Sequence, residues 1–332
     1  MVTANDISGT RVFSWRAAFR LTLMRLAVAF IALVVLEASP ASQQAQVEPR
    51  PDRLFIDAVV LDRANMPVLD VKPSELEVWI VGYRIPIETV TFVNPSVDVP
   101  SHRSIVLLLD DIDVDPALVP KAREAAREFV RVMSPDDRIA VATLSGTTME
   151  PSGDRARLLQ RIDAYASHAW AVERLDTKGA HVLETITALS RSIGRTTDGR
   201  KAIVAIGPSG LLDTPIPPPA LGRDLRPEWV AAMRAMAAAN IALYVIDPSG
   251  VGGSATTGGA SGFARETGGT AFTNTNDMKD AAARIMRETG SYYLIEVANP
   301  VMGRQMDLRA LDVRVLRPGI SVRARRAVIG TR

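Results

Sequence analysis

Ser104-Ile105-Val106-Leu107-Leu108-Leu109-Asp110-Asp111 is the stretch on which the reading of this chain turns. The apolar run from Ile105 to Leu109 has no polar alternation, so both faces of the strand it predicts must be covered, as in a parallel sheet between helix layers. Downstream, Pro116 to Met133 carries a helical period through Ala122, Ala125, Ala126, Phe129 and Val130, and Ser134-Pro135 stops it. Ile139 to Leu144 reads as the next strand and Thr147 to Glu150 as a short edge strand. Asp154 to Tyr165 is helical, with Leu158, Leu159 and Ile162 on one face. A helix from Val182 to Ile193 ends at Gly194, where a left-handed residue is least strained. Strands at Lys201 to Ile206 and Ile241 to Asp247 bracket a helix from Pro227 to Ala239. A helix from Phe263, a strand from Thr270 to Phe272 and a helix from Met278 to Thr289 follow. This alternation predicts an α/β fold: a doubly wound, mostly parallel sheet with helices on both faces.

The flanks read differently. Phe55 to Asp62, Leu76 to Val81 and the segment to Phe92, with a turn at Gly82-Tyr83, predict a small N-terminal antiparallel β unit. Ser291 to Val297, Leu308 to Leu316 and Ser321 to Val328 predict closing β segments, the last two joined by a turn at Arg317-Pro318-Gly319. Sequence order leaves two homes for this C-terminal β ribbon, the main sheet or the N-terminal unit. The expected organisation is a leader over 1–41, a tether over 42–53, the small β unit over 54–93, a linker over 94–103, the α/β domain over 104–298 and a C-terminal β extension over 299–332.

Arg11, Arg16, Arg20 and Arg25 precede the apolar run Leu26 to Leu36, and small residues follow to Ala41. This is a signal-peptide layout, cleaved after Ala41; a retained anchor and a buried helix are the alternatives. An exported protein, periplasmic, envelope-associated or secreted, is therefore expected. Without residues 1–41 the chain keeps 35 basic and 35 acidic residues, so no charge excess favours nucleic acid. The absence of cysteine excludes disulfides, thiolate chemistry and Cys-ligated zinc or iron-sulfur sites. With 47% hydrophobic and 23% charged residues, the 332-residue chain has the composition of a globular protein whose core must hold it unaided.

Function is expected where the parallel strands end, because open α/β sheets bind at their carboxyl edge. The acidic turn Asp110-Asp111-Ile112-Asp113-Val114-Asp115 stands there. Its carboxylates, Asp110, Asp111, Asp113 and Asp115, suit a hard cation, Mg²⁺ or Ca²⁺. They suit better a solvated turn in which Asp115, before Pro116, caps a helix. Two further loops leave the same edge: a proline-stiffened one from Gly207 to Arg226, and a glycine-rich one from Pro248 to Gly262. Thr177, His181, Ser209, Asp213, Asp247 and Ser249 complete the expected ligand-contact rim.

Several modest motifs in order carry a family resemblance over about residues 54 to 328. They are the run Ser104 to Asp111, Pro135-Asp136-Asp137-Arg138, Gly199-Arg200-Lys201-Ala202, Thr267-Gly268-Gly269, Ser291-Tyr292-Tyr293-Leu294 and Arg317-Pro318-Gly319, with Pro73 to Val78 upstream. In these the chain resembles the von Willebrand factor type A family, specifically the acidobacterial von Willebrand factor A-related proteins. The resemblance implies a metal-ion-dependent adhesion site, in which an Asp-x-Ser-x-Ser turn, a threonine and a distant aspartate hold Mg²⁺. Asp110 matches the first aspartate. Ile112 and Val114 stand at the serine positions, Ala180 near the threonine and Pro208 near the distant aspartate, so the implied site is degenerate. A register shifted by one residue gathers Asp111, Asp113 and Asp115, with Asp213 and Thr177 as substitutes for the distant ligands.

Other chemistry is thinly represented. His102, His168 and His181 have no metal or hydrolytic spacing. Gly250, Gly252 and Gly253 lack a Walker lysine and the dinucleotide fingerprint, and Leu211 stands where a nucleophile elbow around Ser209 needs glycine. The basic ribbon, with Arg304, Arg309, Arg314, Arg317, Arg323, Arg325 and Arg326, reads as a charged β face or as a contact for an acidic polymer or lipid surface. The expectation is a non-enzymatic protein-binding or adhesion-type module with a protein or cell-surface ligand, no nucleic-acid partner and no small organic cofactor. The alternative is a metal-independent structural component of an envelope or secreted assembly.

Overall fold

The computed structural model describes residues 53–94, 103–168, 175–195, 199–208, 224–252, 258–299 and 308–329. The expected leader over 1–41 and most of the tether lie outside them, as do 209–223 of the proline-rich loop and 253–257 of the glycine-rich one. In chain order the elements are β1 (Arg53–Leu61), β2 (Leu76–Ile80), β3 (Tyr83–Ile85), β4 (Ile87–Val93), β5 (Ser104–Leu109), α1 (Val119–Val132), β6 (Arg138–Thr143), α2 (Arg155–Asp163), α3 (Leu175–Ile193) and β7 (Lys201–Ile206). They continue with α4 (Arg226–Ala239), β8 (Ile241–Ile246), α5 (Gly258–Glu266), β9 (Ala271–Phe272), α6 (Met278–Gly290), β10 (Tyr292–Ala298), β11 (Leu308–Val315), β12 (Ser321–Ala324) and β13 (Ala327–Ile329).

The architecture is mixed α/β and Rossmann-like in general: one parallel sheet flanked by helices, with separate antiparallel sheets. The parallel sheet runs β6-β5-β7-β8-β9. Every residue of β5 is buried, as its unbroken apolar run requires. Alternate residues serve opposite layers. Ile105, Leu107 and Leu109 pack with Ala126 and Phe129 of α1, Leu158 of α2 and Ile285 of α6. Val106 and Leu108 pack with Leu183 and Ile186 of α3, Met233 and Met236 of α4 and Phe263 of α5. Each such buried aliphatic side chain contributes roughly 1.5–3 kcal/mol relative to exposure. Local chemistry sets the helix ends: Asp154 accepts from the amides of Ala156 and Arg157 at the start of α2, and Asn240 takes the left-handed conformation after α4.

Three sequence boundaries differ from expectation. α3 begins at Leu175 rather than Val182, which makes Lys178 and His181 helical. The end of the glycine-rich segment, from Gly258, is helical because Ala260, Phe263 and Ala264 pack into the core and outweigh glycine's low propensity. The expected edge strand at Thr147 to Glu150 is reduced to isolated antiparallel bridges, Ala142 with Thr148 and Ile139 with Ser152.

The antiparallel strands answer the question of the terminal ribbon. One sheet has the order β12-β1-β10-β4 and the other β13-β11-β2-β3, so each combines strands from before and after the α/β region. β10 pairs antiparallel with β1, Ile56 opposite Ile295, while β11 pairs with β2, Val78 opposite Val313. The two sheets share a core that includes Ile56, Val60, Val78, Ile80, Ile295 and Val313. The ribbon therefore returns to the N-terminal unit, and the α/β region is inserted between the halves of a β-sandwich.

The sandwich meets the amino ends of the parallel strands. Arg200, just before β7, pairs with Asp57 of β1 at 3.4 Å and lies 4.8 Å over the ring of Tyr292. Arg325 donates to the carbonyl of Ala237 at 2.7 Å. Within the α/β region itself, Arg103, just before β5, grips Asp137 with both arms of its guanidinium, at 2.7 and 2.6 Å, and donates to the carbonyl of Met286. With the amino edge occupied, the carboxyl edge is the end of the parallel sheet that faces away from the sandwich.

Candidate functional site

β5, β7 and β8 stop together: Leu109 is opposite Ile206 across β5–β7, and Ile206 is opposite Ile246 across β7–β8. The segments after Leu109, Ile206 and Ile246 thus leave from one rim. The centre of that rim is the acidic turn, and its first two carboxylates point inward, Asp110 with no exposed surface and Asp111 with 1%. A buried charge must be paired or neutralised. Lys178 of α3 supplies the pairing for Asp110, donating from Nζ to Oδ2 at 2.9 Å and to the carbonyl of Ile112 at 2.6 Å. The other oxygen of Asp110 accepts from the amide of Ile112. Burial still dominates and raises the carboxyl's pKa, against the lowering by Lys178.

Asp111 turns the other way. Its Oδ1 accepts from the amide of Ser145 at 2.9 Å and its Oδ2 from the Ser145 hydroxyl at 2.5 Å, tying the turn to the loop after β6. Its carbonyl accepts from the amide of His168, whose own carbonyl accepts from Asp113. The hydroxyl of Tyr165 donates to the carbonyl of Asp110, and burial with the nearby carboxylates raises that phenol's pKa. The turn is therefore fastened from three sides.

The remaining expected residues separate. Asp113 and Asp115 are exposed; Asp113 adopts a left-handed φ of 50°, and Asp115 caps the 3-10 turn Pro116–Leu118 by accepting from Ala117. Asp111 thus points inward while Asp113 and Asp115 are exposed, so the three do not form a convergent set. Among the described residues, no three His, Asp or Glu side chains come together as a metal-holding group. His181 Nε2 lies 2.6 Å from the carbonyl of Leu144. Asp247 is buried, and its Oδ1 accepts from the amide of Ser249. Thr177 falls in the first turn of α3, while Ser209 and Asp213 lie outside the described residues. His168, 61% exposed, has its Nε2 3.9 Å from Asp111 Oδ2.

Sequence reasoning missed Lys178, Ser145, Asn274 and Asn276. The two asparagines shape the loop after β8: Asn276 accepts from the amide of Val251 at 3.3 Å and Asn274 from that of Gly252 at 3.1 Å. Val251 itself is 66% exposed, an apolar side chain presented by a hydrogen-bonded loop. A lone lysine 68 residues from its partner leaves no spacing signal; its position between the rim candidates Thr177 and His181 was the one available clue.

No family model matches the chain, and no curated protein matches it. Among solved structures, an aerotolerance-related membrane protein from Bacteroides fragilis is 14% identical with a TM-score of 0.37, over 56% of this chain and 98% of that one. Three N-terminal domains of a type V pilus tip protein from Porphyromonas gingivalis are 14% identical with a TM-score of 0.26, over 49% of this chain and 27% of that one. A human COPII-coat protein is 9% identical with a TM-score of 0.37, over 70% of this chain and 44% of that one. Among the described residues no helix is long and apolar enough to cross a membrane.

Proposed function

We propose that this chain is an exported, non-enzymatic protein-recognition module of the von Willebrand factor A-like kind, which binds a protein or surface ligand at the carboxyl rim without a metal ion. One observation carries the metal-independent part: the Lys178 ammonium sits against Asp110 and the Ile112 carbonyl, where it neutralises the most buried carboxylate of the rim. A tethered cation at that point competes with Mg²⁺ or Ca²⁺ for the same oxygens, and Asp113 and Asp115 are turned outward. This favours a structural or assembly role over cation-bridged adhesion. The registered strand ends, the fastened acidic turn and the presentation of Val251 support the rim as the contact face. Open α/β sheets bind there, and an exposed apolar side chain gains free energy when a partner removes it from water.

The test is capture of partners from an extract of the source cells with the purified chain, in Mg²⁺ and in EDTA. The reading expects the same partner in both, lost on Val251→Asp and on Asp113→Arg. A partner held in Mg²⁺ and released by EDTA would overturn metal independence; capture unaffected by both rim substitutions would overturn the rim.

A further inference from the structure

A second surface, at the junction of the parallel sheet and the sandwich, has the properties of a docking cleft. It encloses about 380 Å³, within the size range of ligand sites. Ser261 and Arg265 of α5, Thr270 ahead of β9, and Ser321, Arg323 and Arg326 line it. Two edge strands border it, since β9 pairs with β8 and β12 with β1, each on one side. At one end the chains are closed by the Thr267–Arg325 bridge and by the Arg326 amide donating to the carbonyl of Glu266. Beyond that closure no backbone hydrogen bond joins β9 to β12 among the described residues, and the cleft occupies the gap.

The cleft's charge is one-sided, with three arginines and no acidic residue in its lining. Arg323 is answered by Glu288 at 2.5 Å and by the Thr270 hydroxyl. Arg265 and Arg326 are exposed, and neither has a carboxylate partner among the described residues. The floor is held close by glycine: a Cβ at Gly268 would lie 2.9 Å from the backbone of Ala324, and one at Gly269 only 1.9 Å from the carbonyl of Leu243. An edge strand flanked by unanswered guanidinium groups complements a strand that carries carboxylates on one face, where side chains recur at every second residue.

We propose that this cleft receives an extended acidic peptide segment of a partner protein, which adds to β12 as a strand and sets carboxylates against Arg265 and Arg326. The site is distinct from the carboxyl rim. The probe is a fluorescein-labelled six-residue peptide alternating glutamate and valine, with lysine–valine and backbone N-methylated versions as controls, followed by anisotropy with the full chain. The glutamate peptide should bind, the lysine and N-methylated peptides should bind at least about tenfold more weakly, and added salt should weaken the complex. Arg265→Glu with Arg326→Glu should lower affinity roughly tenfold or more, by turning two attractions into repulsions, with the far-ultraviolet spectrum and melting unchanged because both side chains are exposed. Val251→Asp, at the rim, should leave peptide binding intact. Equal binding of the glutamate and lysine peptides, insensitivity to N-methylation, unchanged affinity in the folded charge-reversed double variant, or loss on Val251→Asp would each overturn the proposal.

Discussion

Replacing Lys178 by methionine tests the electrostatics of the rim directly. The substitution keeps a long side chain and removes the ammonium 2.9 Å from Asp110, leaving a carboxylate with no exposed surface and one amide donor, from Ile112. Removing one partner of a buried pair costs about 3–5 kcal/mol. The lower end applies here, about 3 kcal/mol, because Lys178 is itself 25% exposed and part of its charge is already solvated. The double variant Asp110→Asn with Lys178→Met removes the stranded charge as well, and should lose about 1 kcal/mol or less, the near-neutral outcome of replacing both partners. Urea unfolding of the four chains, wild type, each single variant and the double, gives the coupling energy. The pH dependence supplies the sign. Asp110 has a raised pKa in the fold, so between its ordinary value and the raised one the native state holds more protons than the unfolded state, and this group's contribution to stability improves as pH falls. Removing Lys178 raises that pKa further. The deficit of Lys178→Met should therefore be largest near neutrality and shrink by more than half as Asp110 protonates. A loss below about 0.5 kcal/mol, or one of equal size in the single and double variants, would refute the argument that Lys178 neutralises the rim.

Three other outcomes follow from the same structure. Arg103→Lys keeps the charge but loses the two-armed grip on Asp137 and the bond to the Met286 carbonyl, so thermal or urea unfolding should register a loss of about 2–4 kcal/mol. Glu75 accepts two bonds from Arg317, which hold its carboxyl down at about 2; its contribution is complete above the ordinary 4.5 and is lost as pH falls toward 2. A carbon-detected NMR titration should find that low midpoint and its return toward 4.5 in Arg317→Ala, and a midpoint near 4.5 in the parent chain would contradict the clasp. Gly269→Ala should destabilise by about 1–3 kcal/mol, since its Cβ would meet the Leu243 carbonyl at 1.9 Å and push β8 away from the turn before β9; urea unfolding indistinguishable from wild type would show that the close approach is absent.

The strands and helices of the α/β region were legible because each signal is local. The continuous run Ile105 to Leu109 needs cover on two faces whatever surrounds it, and the period through Ala122, Ala126 and Phe129 marks the helix face that supplies part of that cover. The common rim also follows from sequence, since strands linked through helices run parallel and end at one edge. Asp115 as a cap was readable from its place before Pro116. What the tertiary structure decided are pairings between residues far apart in the chain, which no periodicity encodes. β1 bonds to β10 and β12, and β2 to β11, because the apolar faces of the two terminal segments are each too small to be buried alone and fill one core together. The spacing of the acidic turn suited either a cation site or a capped, solvated turn because spacing counts carboxylates, whereas the fold directs them: Asp110 toward Lys178, Asp111 toward Ser145, Asp115 onto the Ala117 amide, with Asp113 and Asp115 exposed. Only the packing of α3 against β5 brings an ammonium to the buried carboxylate, and low-dielectric surroundings strengthen that contact.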